Sequence, residues 1–107
     1  MPDRSDGDFG GGAAVATETK TKTKRPALYK VLLHNDDFTT MEFVVFILEG
    51  VFHKNTVDAH TIMMAVHKAG IGVAGVFSFE IAEAKVNKVT ELAQANEFPL
   101  RCSMEEE

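Results

Sequence analysis

Leu28-Tyr29-Lys30-Val31-Leu32-Leu33-His34-Asn35-Asp36-Asp37-Phe38-Thr39-Thr40-Met41-Glu42-Phe43 is the stretch that decides the fold. Its first seven residues have the two-residue period of a strand, with Tyr29, Val31 and Leu33 on one face and Leu28, Leu32 and His34 near the other. Beyond Phe38 the period becomes helical: Phe43, Val44, Ile47, Leu48 and Val51 form one apolar stripe. Thr39 and Glu42 have the spacing of a capping box, and Phe38 and Phe43 that of a hydrophobic staple. Between the two elements, Asn35, Asp36 and Asp37 are fixed at a strand-to-helix turn, where a rigid scaffold commonly presents its binding groups. Acceptors with little positive charge beside them point to a cationic or hydrogen-bond-donating ligand. Asn and Asp are also ordinary turn formers, because their side chains bond nearby backbone. The local pattern leaves both readings open.

Outward from this stretch, Asn55 is the expected N-cap of a second helix. Its apolar face is Ala59, Ile62, Met63 and Val66, and Gly70 ends it. Ile71 to Phe77 follows as a Gly-rich strand. Ser78 is placed to cap a third helix with the stripe Ala82, Val86, Val89 and Ala93. Pro99 introduces a last strand, Leu100 to Met104, with Leu100, Cys102 and Met104 inward. The order β-α-α-β-α-β describes a small α+β domain with three helices against one face of a sheet. Residues 1–25, with their glycines and Thr-Lys repeats, offer no apolar face and are expected to be a disordered extension. Residues 26–107 then form the domain.

At 107 residues, 45% hydrophobic and 25% charged, the chain has the composition of one soluble globular domain. The net charge of −5 is uneven: after residue 25 there are six basic residues against twelve acidic ones. Such an acidic body argues against nucleic acid, whose phosphates call for clustered Lys and Arg. A lone cysteine, Cys102, rules out an internal disulfide and a cysteine-based metal cluster. No apolar run approaches membrane-spanning length and no signal peptide is apparent, so a cytoplasmic location is expected.

Three further patterns invite a chemical reading. Gly70-Ile71-Gly72-Val73-Ala74-Gly75 fits G-x-G-x-x-G, but a helix precedes it and a strand follows, the reverse of the dinucleotide-binding order. The glycines are read as a helix stop and a flexible strand start. His53, His60 and His67 are spaced by seven, not by the four that chelation on a helix prefers, and no metal is expected. His67 stands apart, since its polar tip adjoins the apolar Met63 and Val66. Calcium would need more oxygen ligands than one turn offers. An acid–base pair of Asp37 and His67 in a small hydrolase is a rival reading, although no Ser or Cys lies in a nucleophile context.

Taken together, Leu28 to Val44, Met64-Ala65-Val66-His67, Gly75-Val76-Phe77, Ala82-Glu83-Ala84-Lys85-Val86 and Pro99 to Glu105 resemble the ClpS family in order and without large gaps. ClpS proteins are bacterial and plastid adaptors that bind N-terminal degrons and deliver them to a ClpAP or ClpCP protease. The resemblance implies a three-stranded antiparallel sheet with three helices, no catalysis, no cofactor and a monomer. It implies that Asn35, Asp37 and His67 receive the α-amino group of a substrate, with Asp36 as an acidic rim. It assigns Leu33, His34, Thr39, Met41, Val44, Met63, Val66 and Leu100 to a pocket for a first side chain of Leu, Phe, Tyr or Trp. Glu80 and Lys85 would meet the N-domain of a ClpA- or ClpC-type unfoldase. Two positions depart from the family pattern. His34 stands beside the pocket where relatives usually carry an apolar residue, as in a paralogue of altered specificity. Thr40 replaces a proline expected at the first helical position. A plain interaction module, such as the C-terminal domain of the ribosomal stalk protein, is a further rival, but it gives no reason for Asn35, Asp37, Met41 and His67 to occur together.

Overall fold

The computed structural model describes residues 26–107, so the extension read for residues 1–25 lies outside the described residues. The elements are β1 (Leu28–His34), α1 (Met41–Gly50), α2 (Thr56–Ala69), β2 (Ile71–Ser78), α3 (Phe79–Ala95) and β3 (Arg101–Glu106). This is the β-α-α-β-α-β order that the periodicities imply. The three strands form one antiparallel sheet in the order β2-β1-β3. β1, the strand with the strongest apolar alternation, is therefore central.

Alternation along β1 sends Val31 and Leu33 into the core, where both are fully buried. Val31 is flanked by Gly75 and Met104, and Leu33 by Gly72 and Cys102. The register with β2 slips between Val31 and Leu32, which leaves Ala74 unpaired opposite them and fully buried. Such a bulge increases the local twist of the strand. The core is completed by Phe43, Val44, Ile47 and Leu48 of α1, Ala59, Met63 and Val66 of α2, and Ala82, Val89 and Ala93 of α3. Cys102 lies buried among them, and desolvation pushes its thiol up to about 12, which keeps it protonated and unreactive.

The start of α1 differs from the sequence expectation. Thr40, not Thr39, is the N-cap, and its hydroxyl oxygen accepts from the Phe43 N–H at 3.1 Å. The cause is Asp36, which engages both the N–H and the hydroxyl of Thr39 and so delays the first turn by one residue. Phe38 is 78% exposed and closes no staple. Thr40 thus precedes the first helical position and supplies a side-chain cap that a proline there would lack. Ser78 holds the N-cap position of α3 but makes no side-chain cap bond.

Asn55 caps α2 as expected, its side chain accepting from the Asp58 N–H at 2.8 Å, and Gly70 ends it at φ 89°. That left-handed conformation favours glycine. Two residues on, α2 packs against β2 at Gly72, where an added Cβ would lie 2.6 Å from Val66 Cγ2. Val66 is β-branched and cannot swing away freely. Gly72→Ala is therefore expected to lower stability by about 1–3 kcal/mol through overpacking. Thermal unfolding followed by circular dichroism checks this; an unchanged midpoint would mean that α2 moves off the sheet without cost.

Candidate functional site

The loop between β1 and α1 is organised by Asp36. One of its carboxylate oxygens accepts from the Phe38 and Thr39 N–H groups at 2.8 and 2.7 Å, and the other accepts from the Thr39 hydroxyl at 2.7 Å. Partial burial works to raise the pKa of Asp36. The Thr39 hydroxyl and the two backbone N–H groups together outweigh it, and the carboxyl titrates below its ordinary value. A lowered folded-state pKa stabilises the fold above the unfolded carboxylate value of about 4, and the contribution is lost as pH falls through the folded value. Asp36→Ala should therefore melt below the unsubstituted protein at pH 6, with the gap closing toward pH 2. Parallel melting profiles across that range would contradict this.

The other end of the loop is tied to α2, since the Asn35 N–H donates to the Gly70 carbonyl oxygen at 2.9 Å. This bond seats the loop against the last turns of α2, where Met63, Val66 and His67 share one helical face at i, i+3 and i+4. A cavity of about 220 Å³ results, lined by Asn35, Asp36, Asp37, Thr39, Met41, Val44, Met63, Val66 and His67. Val44, Met63 and Val66 are buried, whereas Asn35, Asp37, Met41 and His67 are exposed. Among the described residues, the side chains of Asn35, Asp37 and His67 have no hydrogen-bond partner, in contrast to Asp36. The cavity thus combines buried apolar side chains with uncommitted exposed polar groups.

Nine of the residues assigned to the site from sequence gather at this cavity. Three do not line it. Leu33 belongs to the core on the inner face of β1, and Leu100 is buried in the same core. The His34 ring lies 2.7 Å from Ser103 Oγ on β3, and burial followed by the charge of Arg101 lowers its pKa. Those contacts occupy the side chain, whose register neighbours are Ile71 and Arg101.

Glu80 and Lys85 lie together on α3, at a separate concavity of about 440 Å³ that also includes Gly50, Val51, Ile81, Ala84 and Lys88. Lys85 Nζ donates to the Val51 carbonyl oxygen at 2.6 Å just past α1 and sits 5.9 and 5.7 Å from the Phe52 and Phe77 ring centroids. A cation there complements the C-terminal end of α1. Sequence reasoning passed over a third concavity, of about 280 Å³, lined by Met41, Glu42, Val45, His60 and Met63. The available signal was helical spacing from the pocket methionines: Val45 follows Met41 by four residues and His60 precedes Met63 by three. Among the described residues, no helix is long and apolar enough to cross a membrane and no three His, Cys, Asp or Glu side chains gather as a metal site.

Comparison with known proteins agrees with this architecture. A chain of Agrobacterium tumefaciens ClpS2, solved bound to L-phenylalaninamide, superimposes with a TM-score of 0.75 at 41% identity, covering 78% of this chain and 100% of that one. The ClpS adapter protein of Phenylobacterium zucineum (strain HLK1) is 50% identical over 109 residues, 100% of both chains. The protein named ClpS 1 of Rhizobium meliloti (strain 1021) is 51% identical over 108 residues, 98% of this chain and 92% of its own. The family model described as ATP-dependent Clp protease adaptor protein ClpS matches residues 24–103, and with half of all residues identical along whole relatives, the chain belongs to the ClpS family of Clp protease adaptors.

Proposed function

We propose that the chain is a non-enzymatic adaptor that holds the free α-amino group and the large apolar first side chain of a protein substrate, and delivers that substrate to a Clp unfoldase-protease. The observation that carries this reading is the uncommitted Asn35, Asp37 and His67 at an apolar cavity formed by Val44, Met63 and Val66. An α-amino group, with a pKa of roughly 8, is at neutral pH mostly a cation with three donors. The Asn35 amide oxygen, the Asp37 carboxylate and a neutral His67 nitrogen answer those donors. The cavity, at about 220 Å³, is smaller than the roughly 300–1,000 Å³ of sites that enclose a whole small ligand, and suits one side chain. Phenylalaninamide, bound by the Agrobacterium relative, has this chemistry: a free amino group beside a benzyl side chain.

Burial of a large apolar side chain contributes about 1.5–3 kcal/mol, so Leu, Phe, Tyr or Trp binds where Ala or Gly does not. Glu80 and Lys85 form the surface offered to the N-domain of a ClpA- or ClpC-type unfoldase, in the cytoplasm, and residues 1–25 are the segment it engages. The test is fluorescence anisotropy with a peptide beginning in free Phe, its N-acetylated form and an Ala-first control. Binding of the free Phe peptide at micromolar strength or better is expected, with large losses for both controls and no cleavage by mass spectrometry. Equal binding of the acetylated form would overturn the reading.

A further inference from the structure

β1 ends at His34, and the acceptor-bearing loop begins with the next residue, Asn35. On the β2 side this junction is secured by backbone, since the Asn35 N–H donates to the Gly70 carbonyl oxygen at 2.9 Å. On the β3 side the pairing of His34 with Arg101 is the last of the ladder, and strands fray where their ladder stops. There a side chain takes over. His34 Nε2 lies 2.7 Å from Ser103 Oγ in a partly buried bond that joins residues 69 positions apart. Ser103 stands opposite Leu32, two residues before His34, so the ring reaches along the diagonal of the antiparallel pair. Alternation puts His34, Arg101 and Ser103 on the face of the sheet opposite to Val31 and Leu33. Desolvation first, and the charge of Arg101 second, lower the pKa of His34, so the ring is mostly neutral at neutral pH. A neutral ring ties the strand end without placing a second cation beside groups that receive one.

We propose that His34 is a positioning residue for the α-amino-group site: its bond to Ser103 clamps the end of β1 to β3 and so fixes Asn35 where the amide oxygen meets the substrate. The proposal rests on the N-terminal-residue reading above. His34 itself does not line the cavity, so it acts only through its neighbour. The Asn35 side chain has no partner of its own among the described residues, and its aim is set by the backbone that carries it. A hydrogen bond weakens steeply once donor and acceptor lose alignment, so a small drift of the strand end costs affinity. Two ties hold that end in place, the Asn35 backbone bond toward Gly70 and the His34 ring toward β3. Without the second, the loop turns about the first.

The test combines amide hydrogen exchange by NMR, which needs no peptide, with affinity for a free Phe-first peptide, using the full chain and its His34→Ala, His34→Gln and Ser103→Ala variants. In His34→Ala and in Ser103→Ala the Asn35 amide should exchange about tenfold faster, while amides within α2 keep their protection. Both variants should bind the peptide about three- to tenfold more weakly, the span of one neutral hydrogen bond, and combining them should add nothing. His34→Gln, whose amide can still bond the Ser103 hydroxyl, should recover most of the loss. In an Asn35→Ala background, His34→Ala should cause no further loss. Unchanged Asn35 exchange and affinity in both alanine variants would overturn the clamp. A loss in His34→Ala that Ser103→Ala does not share would also overturn it, by assigning the effect to the bulk of the ring. So would a loss that persists in full without the Asn35 side chain, or faster exchange throughout α2, since either marks a general loosening of the fold. Equal binding of free and acetylated Phe-first peptides by the unsubstituted protein would instead sink the N-terminal-residue reading, and the positioning role with it.

Discussion

Asp37→Ala should weaken binding of a free Phe-first peptide by about 10- to 100-fold, the range expected for loss of a charge-assisted hydrogen bond of about 1.5–3 kcal/mol. The loss should be confined to the free peptide, so the ratio of free to acetylated affinity collapses along with it. Asp37→Asn keeps the shape and an acceptor oxygen but removes the charge, and should fall between the two. Because Asp37 is exposed and its side chain has no hydrogen-bond partner among the described residues, the melting temperature should stay nearly constant. That separates a ligand-binding role from a structural one. Asp36→Ala, one residue earlier, should do the reverse and lower stability, because its carboxylate holds the loop through three hydrogen bonds. Isothermal titration with the two peptides, alongside thermal melts of all three variants, reads both effects; an unchanged free-to-acetylated ratio in Asp37→Ala would sink the role given to Asp37.

Leu33→Ala should produce the largest loss of stability, about 2–5 kcal/mol. Its side chain is fully buried at the centre of the sheet, and its register neighbours Gly72 and Cys102 are too small to fill the space it would leave. For a domain of this size the loss corresponds to a fall of roughly 10–30 °C in melting temperature, and it approaches the whole stability of a small fold. Affinity for the Phe-first peptide, measured in the cold where the variant remains folded, should change little, because Leu33 does not line the cavity. A large loss of affinity in a fully folded Leu33→Ala sample would put this side chain back into the pocket wall.

Leu33 and Asp36 also show how far the sequence could be read. Alternation along Leu28–His34 places Leu33 on the buried face, but the pattern does not distinguish a core side chain from a pocket wall one layer further out. Asp36 belongs to an acidic motif, and only the path of the loop shows that its oxygens are taken by Phe38 and Thr39. Asp36 takes the N–H and the hydroxyl of Thr39, and the Phe43 N–H goes to Thr40. That division depends on three-dimensional positions, so the capping-box spacing misplaces the cap by one residue. The contacts of His34 with Ser103 and of Lys85 with Val51 join residues 69 and 34 positions apart, beyond any local pattern.

Local sequence determined the element order, the N-cap at Asn55, the left-handed stop at Gly70, and the polar turn beside an apolar stripe. These follow from short-range periodicity and from backbone preferences that act within a few residues. The tertiary structure alone decided which polar groups remain free. Packing α2 against β2 at Gly72 and the bond from Asn35 to Gly70 bring Val66 and His67 to the turn, so Asn35 and Asp37 open onto an apolar cavity while Asp36 is consumed in holding it. The same packing sets Met41 and Met63 between two cavities, an arrangement that requires α1 and α2 to lie side by side. A hydrogen bond made inside the fold removes a group from ligand chemistry, and only the assembled fold settles which groups are removed.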